Sequence, residues 1–394
     1  MFSHLPSPQQ DPILSLSAAY RKDTRDNKVD LGIGVYKNSD GVTPVMRAVI
    51  AAQQKMLDAQ TTKAYVGMAG DEEFNLQALR LLTQDQSVIE RASSIQTPGA
   101  SGGLRMLAEI IAFSQPGSTV WLSNPSYVNH QPVMEAAGLK VKHYQYFDAK
   151  TKQVDLNAML SDLKGAGRQD IVLLHGCCHN PTGADLSVEG WKAVTELAQH
   201  NGFTPFIDIA YQGFGNGLEQ DAFGVQYMSA NLPEMLVTSS CSKNFGLYRE
   251  RTGSAIIIGE NITHANNARG KLMQLARSTY TMPPAHGASI VKTILLDNDL
   301  TADWKSELEE MRLRLRALRT GLCQEIKQRS GSDEFEFIKQ HQGMFSVLGF
   351  SAEQMVKLRE QYAIYGVDDG RINIAGLREQ DLANVAQAII DVKS

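Results

Sequence analysis

Between residues 118 and 259, apolar runs recur, each of a length that suits one strand. They are STVWLSN (118–124), LKVKHYQYF (139–147), DIVLLHGCC (170–178), FTPFIDIAY (203–211), EMLVTSSCS (234–242) and GSAIIIG (253–259). Helical patterns or loops separate most of them. Strands joined through helices cannot pair as hairpins, so this alternation predicts an α/β fold around a largely parallel sheet. On such sheets ligands gather at the carboxyl ends of the strands. Polar residues at those ends are therefore the first candidates for chemistry.

The chain has 394 residues, too many for one ordinary core, and two domains are expected. A hydrophobic content of 43% with 21% charged residues fits a globular chain. The formal net charge of -5, with no basic tail, argues against a nucleic-acid partner. No apolar run reaches the length of a membrane span. The opening MFSHLPSPQQDPILSL has neither the basic region nor the apolar stretch of a signal peptide. Of the four cysteines, Cys177 and Cys178 are adjacent, which favours reduced thiols and a cytoplasmic location over a disulfide framework. Residues 1–12 read as an extended arm. A helix is expected over 44–58, with Pro44 in its first turn and Val45, Val49 and Ala52 on one face. The segment 305–328 places Leu308, Met311, Leu315, Leu318 and Leu322 along one face of a long helix that suits a domain connector. A shorter α/β pattern follows over 334–394.

TSSCSKNFGLYRERTG (238–253) concentrates the chemistry. Lys243 lies among Ser239, Ser240 and Ser242, with Arg251 further on. A lysine amine can form a Schiff base with a carbonyl. Hydroxyls and a guanidinium fork can hold a phosphate. The pair suits pyridoxal phosphate, which carries both an aldehyde and a phosphate. A rival reading takes Ser240 and Lys243 as the S-x-x-K of serine acyl-enzymes, but the S-D-N and K-T-G that should accompany it are absent.

Other residues fit around this stretch. The loop IQTPGASGG runs into a helix bearing Leu104, Leu107, Ala108 and Ile111 on one face. Its free N–H groups and Ser101 make either a phosphate seat or a plain cap. Asn180, in HNPTG, and Asp208 and Tyr211, in DIAYQGFG, fall at strand ends. A carboxylate as enclosed by apolar neighbours as Asp208 requires a partner, and a protonated pyridine nitrogen would serve. His175, Cys177 and His179 alternate and raise the alternative of zinc, although buried structural His and Cys are commoner and no HExxH occurs. Gly32 and Gly34 lack the third glycine of a dinucleotide fingerprint and read more simply as turn glycines. Tyr65 and Arg277 lie in loops, and Arg371 sits between Gly370 and apolar residues, where a carboxylate partner would explain it.

HNPTG, DIAYQGF, the SxSKNFGLYxER run and GRINxAG occur in one order from residue 179 to residue 376. The ordered set resembles the class I, fold type I pyridoxal-phosphate aminotransferases, and the aspartate aminotransferase branch in particular, from about residue 11 to the C-terminus. The resemblance implies a large domain (44–309) built on a mostly parallel seven-stranded sheet and a smaller α/β domain (13–43 and 310–394). It implies that Lys243 bonds the cofactor aldehyde and then carries the Cα proton. Asp208 would pair with the pyridinium nitrogen, backed by His130. Asn180 and Tyr211 would bond the phenolic oxygen. Ser101, Gly102, Ser240, Ser242 and Arg251 would hold the phosphate, joined by Tyr65 of a second subunit. Arg371, with Gly34 behind it, would take the substrate α-carboxylate. Arg277 of the second subunit would take a side-chain carboxylate. The working unit implied is a homodimer with shared sites.

This chain departs from the family pattern in three places. Tyr127 stands where the family usually has Trp stacked on the cofactor ring, Ala100 replaces a usual glycine, and Met282 occupies a position often held by asparagine or serine. The expected activity is amino-group exchange between L-aspartate and 2-oxoglutarate. An aromatic amino acid transaminase of the same branch is the alternative, because a less polar pocket admits aromatic side chains. A non-catalytic protein on this fold should have lost Lys243 or Asp208, and both are present.

Overall fold

The computed structural model describes residues 2–4 and 12–393, so the arm expected over 1–12 lies largely outside the described residues. Seven strands form the main sheet: β1 (Ala92–Pro98), β2 (Thr119–Asn124), β3 (Lys140–Gln145), β4 (Asp170–His175), β5 (Thr204–Ile209), β6 (Met235–Ser240) and β7 (Thr252–Ile258). Their spatial order is β1-β7-β6-β5-β4-β2-β3. Helices Gly99–Ser114, His130–Ala136, Leu156–Leu163, Val188–Asn201 and Phe223–Asn231 occupy the connections from β1 through to β6. A crossover helix returns the chain to the same end of the sheet, so these six strands run parallel. The segment Cys241–Arg251 contains no helix, and β7 returns antiparallel between β6 and β1. That reversal sets the site: the amino end of β7 lies at the same sheet edge as the carboxyl ends of the other strands.

The chain divides into two compact units. One comprises Pro44–Arg314 with His341–Gly343 and contains the sheet. Its core joins Val120, Leu122, Ile171, Leu173 and Phe206 to Leu104, Leu107, Ala108 and Ile111 of the helix after β1. Those four helical residues are the face expected from their spacing. The other unit takes the described residues up to Thr43, Leu315–Gln340 and those from Met344 on. Leu318, Leu322, Ile326, Ile372, Ile374, Val385 and Ile389 pack together in it. It also holds an antiparallel ribbon of Phe345–Val347 with Arg371–Asn373. Helix Asn298–Ser330 passes from one unit into the other, and Leu308, Met311, Leu315, Leu318 and Leu322 are all buried along it.

Three local expectations differ from the structure. The helix expected from Pro44 begins at Arg47, which leaves Val45 outside it and exposed while Ala48, Val49 and Ala52 are buried. Strand β1 carries no apolar alternation, since Ser93, Ser94, Gln96 and Thr97 are polar, yet all four are buried. Their polar atoms find fixed partners: Ser93 bonds Asn266, Gln96 Nε2 donates to the Pro284 carbonyl, and Thr97 Oγ1 donates to the Gly99 carbonyl. Strand β4 stops at His175, so His175, Cys177 and His179 do not share a strand face. No described helix is long and apolar enough to cross a membrane.

Candidate active site

Four chain segments leave the sheet at one edge and converge. The turn after β2 carries Ser126 and Tyr127, that after β4 carries Asn180, that after β5 carries Tyr211, and that after β6 carries Ser242 and Lys243. Arg251 immediately precedes β7, and Ala100 and Ser101 open the helix after β1. A cavity of about 180 Å³ lies between them. Its walls include Ser101, Tyr127, Asn180, Asp208, Tyr211, Ser240, Ser242, Lys243 and Arg251.

Asp208 is 8% exposed and sits one residue from the end of β5. Its Oδ2 is 2.9 Å from Nε2 of the fully buried His130. Its Oδ1 is buried without a protein partner. A hydrogen-bond chain behind His130 sets the proton order. The Asn180 N–H can only donate, so His175 Nδ1 accepts at 3.4 Å. Burial holds the His175 pKa well below the ordinary value, and the neighbouring His179 and His130 push it the same way, so the ring is neutral. Its single proton must then be on Nε2, donated to Ser126 Oγ at 3.3 Å. The hydroxyl in turn donates to His130 Nδ1 at 3.0 Å. With that direction, His130 Nε2 is the nitrogen that donates to Asp208 Oδ2. Sequence reasoning missed Ser126 and weighed His175 only as a metal ligand. The available signal was the i, i+4 spacing of Ser126 and His130.

Lys243 is partly buried, and its Nζ lies 4.8 Å from the Tyr211 ring centre. Burial lowers its pKa to about 8; nearby Asp208 works against this and Arg251 with it. A free amine is therefore accessible near neutral pH. At the phosphate-like corner, Ser240 Oγ accepts from the Ser242 N–H at 3.1 Å. Arg251 donates to the Tyr248 carbonyl at 2.9 Å and has φ of 53°, a conformation that costs energy for a residue with a β-carbon. Gly99, at φ +68°, opens the adjoining helix. A β-carbon there would strain the backbone at this positive φ and, at 2.5 Å from Arg251 Nη2, push the guanidinium tip aside. Gly102 lies within the same first turns but not on the cavity wall.

Tyr65 is 89% exposed, and Arg277 is also exposed, with Nη1 3.4 Å from Thr281 Oγ1. Neither lines the cavity. In the other unit, Arg371 is buried, with its guanidinium 4.7 Å from the Phe345 ring centre. The Phe345 ring also fills the space beside Gly34, where a β-carbon would come within 2.9 Å of Cζ. The zinc alternative does not gather its ligands. His179 bonds Ser123 and Thr182, and His175 bonds Ser126 and Asn180, which occupies both nitrogens of each ring. Cys177, Cys178 and Asp221 do come close together, but Asp221 already accepts from the N–H groups of Gly213, Gly215 and Asn216.

The family model described as aminotransferase class I and II matches residues 26–389. The aromatic-amino-acid aminotransferase of Paracoccus denitrificans is 45% identical over 392 residues, covering 100% of both chains. The aspartate aminotransferase of Haemophilus influenzae is 41% identical over 395 residues, again covering 100% of both. Among solved structures, the aromatic-amino-acid aminotransferase of Burkholderia pseudomallei, covalently bound to pyridoxal phosphate, superposes with a TM-score of 0.98 at 39% identity, covering 100% of both chains.

Proposed function

The chain belongs to the class I and II aminotransferases, and from that premise we propose a pyridoxal-phosphate transaminase that passes the amino group of aspartate or of an aromatic amino acid to 2-oxoglutarate. One observation carries the reading. An amine made available by burial, Lys243, and a buried carboxylate with one unpartnered oxygen, Asp208, line the same cavity. The cofactor fits that donor set. Asp208 Oδ1 faces no protein donor, as an oxygen awaiting a ring N–H should. Ser101, Ser240, Ser242 and Arg251 cluster at a helix start, where N–H groups favour a phosphate.

When bound, the cofactor supplies an electron sink that lets a bond at the substrate Cα break. The protein's own part is to bind, orient and move a proton. Lys243 Nζ would hold the cofactor through its aldehyde and is the group placed to carry the Cα proton. Asp208, whose Oδ2 lies 2.9 Å from His130 Nε2, would pair with the ring nitrogen. Asn180 and Tyr211 would donate to the phenolic oxygen, and Tyr127 would lie against the ring. Arg371 takes the substrate α-carboxylate in a bidentate grip.

Dual specificity rests on two features pulling in different directions. Arg277 suits a dicarboxylate, whereas Tyr127, smaller than the usual Trp, opens the pocket, and Met282 in place of asparagine or serine makes it less polar. Relatives named for aromatic and for aspartate substrates are about equally similar to this chain. The test is kcat/KM for aspartate and for phenylalanine with 2-oxoglutarate as acceptor. Values within about tenfold of each other support the reading; a preference beyond about a thousandfold either way overturns it. The working unit is a homodimer in which Tyr65 and Arg277 serve the partner's site. Their exposure supports this, as does the apolar surface at Val45, Ile50, Leu57, Val66 and Met68. Mixing inactive Lys243→Ala with Arg277→Ala should restore one intact site per hybrid dimer; no restored aspartate turnover would exclude shared sites.

A further inference from the structure

We propose that Phe345 is a positioning residue for Arg371, and that the buried Arg319 holds Phe345 in place. The inference rests on the reading of Arg371 as the α-carboxylate grip. Phe345 and Arg371 sit on the two strands of the antiparallel ribbon, where Val347 pairs with Arg371 and Phe345 with Asn373. Positions two apart on a strand share a face, so Phe345 is the diagonal neighbour of Arg371, within reach for an aromatic and a long side chain.

The contacts fit that placement. The Arg371 guanidinium carbon stands 4.7 Å from the Phe345 ring centre. A guanidinium held over a ring face has its plane fixed, and Arg371 Nη2 also donates to the Gly32 carbonyl at 3.5 Å. The ring itself has little freedom, being 2% exposed. Gly34 closes one edge, since a β-carbon there would lie 2.9 Å from Phe345 Cζ.

Arg319 fixes the backbone under the ring. It is 2% exposed, inside the core of its unit. Its Nη2 donates to the Phe345 carbonyl at 2.7 Å, and its Nη1 donates to Ser346 Oγ at 2.6 Å and to the Ile338 carbonyl at 3.1 Å. One rigid fork thus ties the helix Asn298–Ser330 to both residues that open the ribbon. A lysine would offer a single point in place of that fork.

The experiment uses the dimeric holoenzyme with Phe345→Leu, Arg371→Ala and the double variant Phe345→Leu/Arg371→Ala. Phe345→Leu should raise KM for aspartate and for phenylalanine alike, about tenfold, and change kcat less than about twofold. In the Arg371→Ala background, Phe345→Leu should add nothing, because the group it orients is gone. An unchanged KM in Phe345→Leu, or a full additional loss in the double variant, overturns the positioning role. A normal KM in Arg371→Ala alone overturns the carboxylate grip on which the inference rests, so the two failures are distinct.

Discussion

Asp208 Oδ2 accepts from His130 Nε2 at 2.9 Å, while Asp208 Oδ1, also buried, meets no protein donor. The carboxylate is thus anchored on one side and open to the cavity on the other. The contacts through His175, Ser126 and His130 lead to Asp208 Oδ2. Asp208→Asn keeps the shape and removes the charge. Steady-state turnover of that variant should fall at least about a hundredfold, the scale seen when one electrostatic partner leaves a reacting site. Turnover within about threefold of the parent would show that the charge is not used.

Lys243→Ala should leave cofactor binding in place, through the serines and Arg251, but lower turnover at least about a thousandfold. Borohydride reduction followed by peptide mass analysis should find the adduct on Lys243 in the parent and none in the variant.

The depressed amine predicts a pH profile. Lys243 is free of its proton above about 8, against 10.5 for an ordinary lysine. In apoprotein given pyridoxal phosphate, the rate of bond formation, followed by absorbance, should climb to about pH 8 and then level off. Between about 8 and 10.5 the unfolded chain holds a proton there that the folded one lacks. Folding stability therefore rises with pH across that window, and the penalty is full below it. A profile still climbing steeply above pH 9 would argue against an amine depressed by burial.

On the proposed role of Arg277, Arg277→Ala removes a charge-assisted contact from one substrate class. Aspartate should lose roughly 10- to 100-fold in kcat/KM, and phenylalanine less than about threefold. Equal losses would remove Arg277 from substrate choice.

Trp304 is fully buried, stacks on Phe245 with ring centres 4.4 Å apart, and donates from Nε1 to the Asn244 carbonyl at 2.7 Å. Asn244 follows Lys243 directly. Trp304→Phe leaves that carbonyl buried without its donor and should cost about 1–3 kcal/mol in denaturant unfolding. An unchanged midpoint would mean that water replaces the indole.

The parallel sheet was readable because β2 and β4–β7 are written in apolar residues at strand length. Strand β1 was not, because Ser93, Ser94, Gln96 and Thr97 are buried through side-chain hydrogen bonds that no local pattern announces. The polar residues of the cavity were readable where a strand end carries them, as with Asn180, Asp208 and Lys243. The proton chain was harder to read. Ser126 lies in the turn after β2 and His175 ends β4, and their contact exists only once β2 and β4 pair. For the same reason no reading of the HGCCH run could tell that His175 and His179 direct their nitrogens to hydroxyls and a backbone amide.

The contact between Gly99 and Arg251 has a genetic corollary. Changing either of the first two letters of a glycine codon installs a side chain or a stop, and at residue 99 the first carbon of any side chain would lie 2.5 Å from the guanidinium. Alanine, one base away, is the mildest such replacement and still displaces the cation. Descendants of this gene that lose the codon's opening doublet must strain the backbone at residue 99 and move the Arg251 tip away from the helix start.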